Sequence, residues 1–234
     1  MLALAATPRP SHAALPGLID GARKDLKTFD EMISEQSSRK LDPGQHLFHQ
    51  GDDDRNIYKI ETGLVRLYRI LNDGRRQIIS FRFAGDILGL EAGSERHCGA
   101  EAVTPVRVRS LDRNSAYRLL RDEPALAPQL VSLLSQELED ARGQITVLNR
   151  RSAIERLAAF ILELHRRQGG RRTVEIPLSR TDIADFLGLT IETVSRNLTR
   201  LRAKRIIELP RIHSLVIIDR DRLEALADGE CEDW

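Results

Sequence analysis

The chain has 234 residues, 41% hydrophobic and 30% charged, which allows one large or two modest domains around a real core and excludes a disordered chain. Thirty-six Lys and Arg against 35 Asp and Glu leave a net charge of +1, so a basic coat is excluded and any DNA-binding face must be local. Two cysteines, Cys98 and Cys231, exclude a disulfide scaffold and a four-cysteine metal centre within one chain. No apolar run reaches the roughly 18 residues of a membrane span, so no membrane partner and a cytoplasmic location are expected.

Residues 1–27, with Pro8, Pro10 and Pro16, read as an N-terminal arm. From about residue 40 to 112, eight of the fifteen glycines punctuate the chain. Between them lie short β-favouring runs at 57–60, 64–68, 77–83 and 106–108. Asn72-Asp73-Gly74 separates two of them, and its residues tolerate the positive φ of a hairpin turn. The spacing predicts a small antiparallel β-roll or jelly roll over 28–123.

After Pro124 and Pro128 the period changes. Leu130, Leu134, Leu138, Ala141, Ile145 and Leu148 recur at steps of 4, 4, 3, 4 and 3, a narrow stripe on one helix face over 124–150. Such a stripe suits a partner helix, and a second copy of the chain supplies one, making this a dimerisation helix. A further amphipathic helix from Ser152 to about Gln168 turns Ile154, Leu157, Ala158, Ile161 and Leu164 inward.

The segment 178–201 carries the chemistry. Ser179 and Asp182 have capping-box spacing, Ile183, Ala184 and Leu187 face inward, and Gly188 supplies a tight turn. Thr190 then caps a second helix whose buried side is Val194, Leu198 and Leu201. A small residue, a glycine four positions later and an apolar anchor six beyond it give the helix-turn-helix spacing. The outward face holds Glu192, Ser195 and Arg196, with Thr193, Thr199 and Arg200 beside them. Arg196 can donate two hydrogen bonds to guanine O6 and N7, Glu192 can accept from cytosine N4, and Ser195 can meet a base edge. Ser179, Arg180, Thr190, Thr193, Thr199 and Arg200 are the candidates for phosphate contact and support. Residues 151–212 hold 13 Lys/Arg against 7 Asp/Glu, a local charge of +6 within a nearly neutral chain. Two apolar runs, 206–209 and 215–218, flank a basic turn and predict a β-hairpin wing.

A glycine-punctuated roll, a dimer helix and a winged helix-turn-helix, in that order, resemble the CRP/FNR superfamily of bacterial transcription regulators over about residues 28–226. The most specific segment is 187–196, Leu-Gly-Leu-Thr-Ile-Glu-Thr-Val-Ser-Arg, which is similar to the FNR-type recognition segment. Supporting matches are 155–161 in the second helix and 83–89 in the roll. The resemblance implies an α+β fold, with 151–226 as the winged helix-turn-helix domain, and a homodimer reading TTGAT/ATCAA-like palindromes through Glu192, Ser195 and Arg196; beyond it, the carboxylates of 227–234 read as an acidic tail. Residues 1–45 lack the cysteine cluster of FNR-type oxygen sensors, and Leu90 and His97 stand where cyclic-nucleotide binders carry their ligand residues. The FixK-like subgroup remains: activators of microaerobic respiratory and nitrogen-fixation genes, with no cofactor expected. The alternative is an effector-gated regulator whose roll binds a cyclic nucleotide or haem.

Asn72, Asp73, Gly74 and Arg75 match a loop that touches RNA polymerase in relatives. Cys98 falls where relatives bind effector and is the candidate for redox modification. Cys231 is flanked by carboxylates that disfavour its thiolate. His46, His49, His97 and Cys98 fit no familiar metal-ligand spacing and read as turn and surface residues, so no metal is expected. No nucleophile–base motif or phosphate loop points to an enzyme.

Overall fold

The structure, a computed structural model, describes residues 28–230 except Asp54, Ala92 and Arg151. The expected arm over 1–27, Cys231 and the end of the tail lie outside the described residues. Two compact units form, 28–67 with 81–137 and 68–80 with 138–230.

The first unit opens with a short helix, α1 (Phe29–Ser34), which the sequence did not lead us to expect. A capping box starts it: Thr28 Oγ1 accepts from Glu31 N–H at 3.1 Å and the Glu31 carboxylate accepts from Thr28 N–H at 2.7 Å. Eight strands follow: β1 (Ser38–Leu41), β2 (His46–Phe48), β3 (Asn56–Thr62), β4 (Leu64–Ile70), β5 (Arg76–Phe83), β6 (Ile87–Leu88), β7 (Gly99–Ala102) and β8 (Val106–Asp112). They make two four-stranded sheets, ordered β1-β8-β3-β6 and β2-β7-β4-β5. The four expected runs fall inside β3, β4, β5 and β8. The other strands have two to four residues, too few for alternation to show. A helix, α2 (Arg113–Asp122), follows β8 directly, with Asp112 accepting from Ser115 N–H at 2.9 Å as its cap. Phe29 and Ile33 of α1, Ile57, Ile87 and Leu111 of the strands, and Ala116 of α2 form one buried cluster.

After a 3₁₀ turn at Pro124–Leu126, α3 runs from Ala127 to Leu148. None of its 22 residues is fully buried. Val131, Leu134, Leu138 and Ile145 are 61%, 43%, 51% and 59% exposed. With Ala141 and Leu148 they step 3, 4, 3, 4 and 3, a strict heptad seam. Leu130, the expected start of the stripe, is half-buried, and the exposed Val131 stands at the seam instead. Leu133 packs against the cluster of α1 and α2.

In the second unit α4 (Ala153–Arg167) is capped by Ser152, whose Oγ accepts from Glu155 N–H at 3.3 Å. Its inward residues Ile154, Leu157, Ala158, Ile161 and Leu164 are all buried. Next come β9 (Thr173–Glu175), α5 (Arg180–Leu187), α6 (Ile191–Ala203), β10 (Ile207–Arg211), β11 (Ser214–Ile217) and α7 (Arg220–Asp228). The wing is tighter than its sequence suggested, with only Ile212-His213 between β10 and β11, and β9 joins it as a third strand in the order β10-β11-β9.

The turn between α5 and α6 depends on Gly188, at φ 64° and ψ 41°. A Cβ there would meet nothing closer than Arg156 Nη1 at 3.9 Å, so substitution is limited by backbone conformation alone. We expect Gly188→Ala to lower unfolding free energy by about 1–2 kcal/mol, read from a denaturant titration.

Candidate nucleic-acid interface

The two helices are held by a small apolar core. Ile183, Ala184 and Leu187 of α5 and Val194, Leu198 and Leu201 of α6 are buried, and the rings of Phe160 and Phe186 lie 5.5 Å apart. Asp182, only 3% exposed, closes the capping box: its carboxylate accepts from Ser179 N–H at 3.2 Å and from Ser179 Oγ–H at 2.7 Å. Arg76 Nη2, from the β4–β5 hairpin in the same unit, donates to Asp182 at 3.3 Å and to Asp185 at 2.9 Å. Both acidic groups of α5 are thereby countered by a cation, which favours binding of an anion nearby.

The apolar anchors turn the other face of α6 outward. Glu192, Ser195, Arg196, Thr199 and Arg200 are all exposed, at spacings that place them on one side of the helix. Glu192 and Arg196 do not pair among the described residues, and the Arg196 guanidinium has no partner there. The Glu192 carboxylate instead accepts from its own N–H and from the Thr190 hydroxyl, which holds its pKa below the ordinary carboxylate value. It therefore stays ionised, the state that accepts from a cytosine amino group.

The supporting residues separate into two kinds. Ser179 Oγ serves the cap of α5, and Thr190 Oγ1 accepts from Thr193 N–H at 3.2 Å while lying 3.1 Å from Thr193 Oγ1. Thr199 Oγ1 donates back to Ser195 O at 3.0 Å. These hydroxyls bond within the starts of α5 and α6 and along α6 itself. Arg180 at the head of α5 is half-buried, its guanidinium is without a partner among the described residues, and burial pushes its pKa down. A phosphate oxygen would supply the missing anion.

Two features were not singled out from the sequence. Ile191 opens α6 with its side chain 43% exposed, an apolar surface at the start of the helix. Arg211, exposed and without a guanidinium partner among the described residues, sits at the wing tip beside the exposed Ile212. Its signal was the basic turn between the two apolar runs.

Elsewhere, Asn72–Arg75 form the exposed tip of the β4–β5 hairpin, ordered by Arg75 N–H and Nε donating to Asp73 at 3.1 and 2.7 Å. The backbone N–H of Arg75 and then its side chain hold the Asp73 pKa below the usual carboxylate range. Cys98 is buried. The rings of His46 and His49 stack 4.4 Å apart, and among the described residues no group of three His, Cys, Asp or Glu is placed to hold a metal. Arg96, 5% exposed, lies 4.3 Å from the centroid of the Phe48 ring and donates to Asn56 O. Gly89 makes room for it, since a Cβ there would stand 2.5 Å from Arg96 Nη1. No helix among the described residues is long and apolar enough to cross a membrane.

Comparison with known proteins agrees with this geometry. Residues 155–226 match the Crp-like helix-turn-helix domain and residues 38–123 the cyclic nucleotide-binding domain. The nitrogen fixation regulation protein FixK of Rhizobium meliloti is 39% identical over 186 residues, covering 80% of this chain and 85% of that protein. The transcriptional activatory protein AadR of Rhodopseudomonas palustris is 36% identical over 222 residues, covering 93% and 92%. The solved structure of FixK2 from Bradyrhizobium japonicum superposes with a TM-score of 0.77 at 35% identity, covering 81% of this chain and 96% of that one. The chain belongs to the CRP/FNR family of DNA-binding transcription regulators and is similar to its FixK members.

Proposed function

We propose that the protein is a homodimeric activator that reads a TTGAT/ATCAA-like palindrome without a bound effector. The observation that carries the reading is the exposed row Glu192, Ser195 and Arg196, with Arg196 unpaired among the described residues. Arg196 forks onto guanine, Glu192 accepts from a neighbouring cytosine, Ser195 meets the adjacent edge, and Ile191 offers an apolar contact to a thymine methyl. Arg180 and Arg200 neutralise phosphates, while Ser179, Thr190, Thr193 and Thr199 keep the helices in register. The heptad seam of α3 pairs with its copy, which sets two reading helices about one DNA turn apart. The hairpin tip, Asn72, Asp73, Gly74 and Arg75, is the contact for RNA polymerase, and reading DNA places the protein in the cytoplasm. The names of the FixK relatives point to nitrogen-fixation genes as targets, and the family resemblance adds genes of microaerobic respiration.

Two features support effector independence. Arg96, the arginine nearest in sequence to a phosphate ligand of cyclic-nucleotide binders, is turned inward onto Phe48. The cleft beside it, lined by Ile87, Gly89, Leu90, Leu134 and Glu137 among others, holds about 100 Å³. Ligand pockets run to roughly 300–1,000 Å³. The ion pair of Arg82 and Glu137, 2.5 Å, also lies in its wall.

A labelled palindrome titrated with protein, with and without cyclic AMP, tests this reading. We expect tight binding to the palindrome, weak binding to a scrambled duplex and no response to the nucleotide. Affinity that appears only with cyclic AMP would favour the effector-gated alternative. Transcription by purified polymerase from the same site then separates activation from repression.

A further inference from the structure

The reading helix ends in an unusual way for its geometry. Ile206 N–H donates to Leu201 O at 3.0 Å and Arg205 N–H to Arg202 O at 3.0 Å, the two bonds of a Schellman motif. Ile206 and Leu201 are both buried, which supplies the apolar contact that accompanies the motif. The residue that reverses the chain must then adopt the left-handed conformation, and glycine does so at least cost. Here it is Arg205, at φ 56°, and among the described residues no other residue than glycine has positive φ. Arg205 is exposed and its guanidinium has no hydrogen-bond or ion-pair partner among the described residues, so nothing in the fold rewards its side chain.

We propose that Arg205 is a DNA phosphate contact, an arginine kept at a glycine position because its charge is used on the nucleic acid. The inference rests on the DNA-reading role of α6 proposed above. Arg205 lies nine positions after Arg196, and the seven of them within α6 rise about 10 Å along the helix. The major groove is roughly 12 Å wide, so when Arg196 reaches the base edges, Arg205 stands over the flanking backbone. The C-terminal end of a helix presents carbonyl oxygens and a partial negative charge, which repel phosphate. A cation two residues past the last residue of α6 offsets the repulsion where the helix leaves the groove.

The test compares the wild-type protein with Arg205→Gly, Arg205→Asn and Arg205→Lys, on a palindromic and a scrambled duplex between about 50 and 200 mM salt. Glycine suits the backbone and asparagine tolerates it, so both variants fold. Arg205→Gly should melt about 2–4 °C higher than wild type. Both uncharged variants should bind both duplexes about fivefold more weakly per half-site near 0.15 M salt, with a log–log salt slope shallower by about 0.9 per half-site. Arg205→Lys should keep the slope. Unchanged affinity and slope in Arg205→Gly would overturn the proposal, as would a loss confined to the palindrome or a lower melting temperature. Arg196→Ala, run in parallel, reports on the parent reading. If it leaves discrimination between the duplexes intact, the assignment of α6 fails whatever the Arg205 slopes show.

Discussion

Replacing Arg196 by alanine is expected to weaken binding to the palindrome by about 1–3 kcal/mol per half-site and to leave binding to a scrambled duplex nearly unchanged. The asymmetry follows from the geometry of the reading face. Arg196 is exposed on α6, is not tied to Glu192, and has no partner that its removal would strand among the described residues. The loss is therefore one of base discrimination rather than of folding. Arg196→Lys should recover little, because a single ammonium cannot form the paired bonds that a guanidinium gives to guanine. Anisotropy titrations of both duplexes at one fixed salt concentration decide the matter, and equal discrimination by Arg196→Ala and wild type would remove Arg196 from the reading set.

Leu138→Glu should produce monomers at micromolar concentration and cut affinity for the full palindrome by roughly 10²–10⁴, the contribution that linking two half-sites makes. Leu138 is central in the seam of α3 and 51% exposed in its own protomer, so the substitution leaves the protomer core untouched. Burying a leucine is worth about 1.5–3 kcal/mol, and a pairing of identical helices loses two of them. Two carboxylates also meet across the pairing. Sedimentation velocity reads the assembly state and a half-site duplex reads the intact DNA domain, whose affinity should be unaltered. Glu139→Ala, on an exposed neighbour off the seam, should remain dimeric. A dimeric Leu138→Glu would exclude α3 as the pairing surface.

Much of this was legible in the sequence because it depends on short-range spacing. Ser179, Asp182, Gly188 and Thr190 fix two helices and their turn within twelve residues, and each does in the structure what its type predicts. The strands longer than six residues each contained a β-favouring run bounded by glycines or turns. β6, with two residues, and β9, with three, did not, because their place in a sheet is set by partners distant in the chain. The start of the α3 stripe was obscured for a related reason. Leucines at 130, 133 and 134 look alike in sequence, and only packing shows that Leu133 meets the α1–α2 cluster while Val131 and Leu134 stand exposed. Arg205 is one of the 13 Lys and Arg over 151–212, but its left-handed backbone follows from where Ile206 must be buried. Division into units likewise departs from covalent order: α3 and α4 meet near residue 150, whereas contacts divide the chain after 137 and assign the hairpin 68–80 to the second unit.

The absence of fully buried residues in α3 has a consequence for how much protein a cell must hold. On the pairing proposed for α3, a helix none of whose 22 residues is fully buried in its own protomer gains stability from its copy, so the melting point should climb as the protein is concentrated. On the same pairing, dilution below the association threshold would return the protein to monomers and leave α3 open to proteases, which limited proteolysis across a dilution series would read. Abundance would then set how much of the regulator is paired and able to hold a full palindrome.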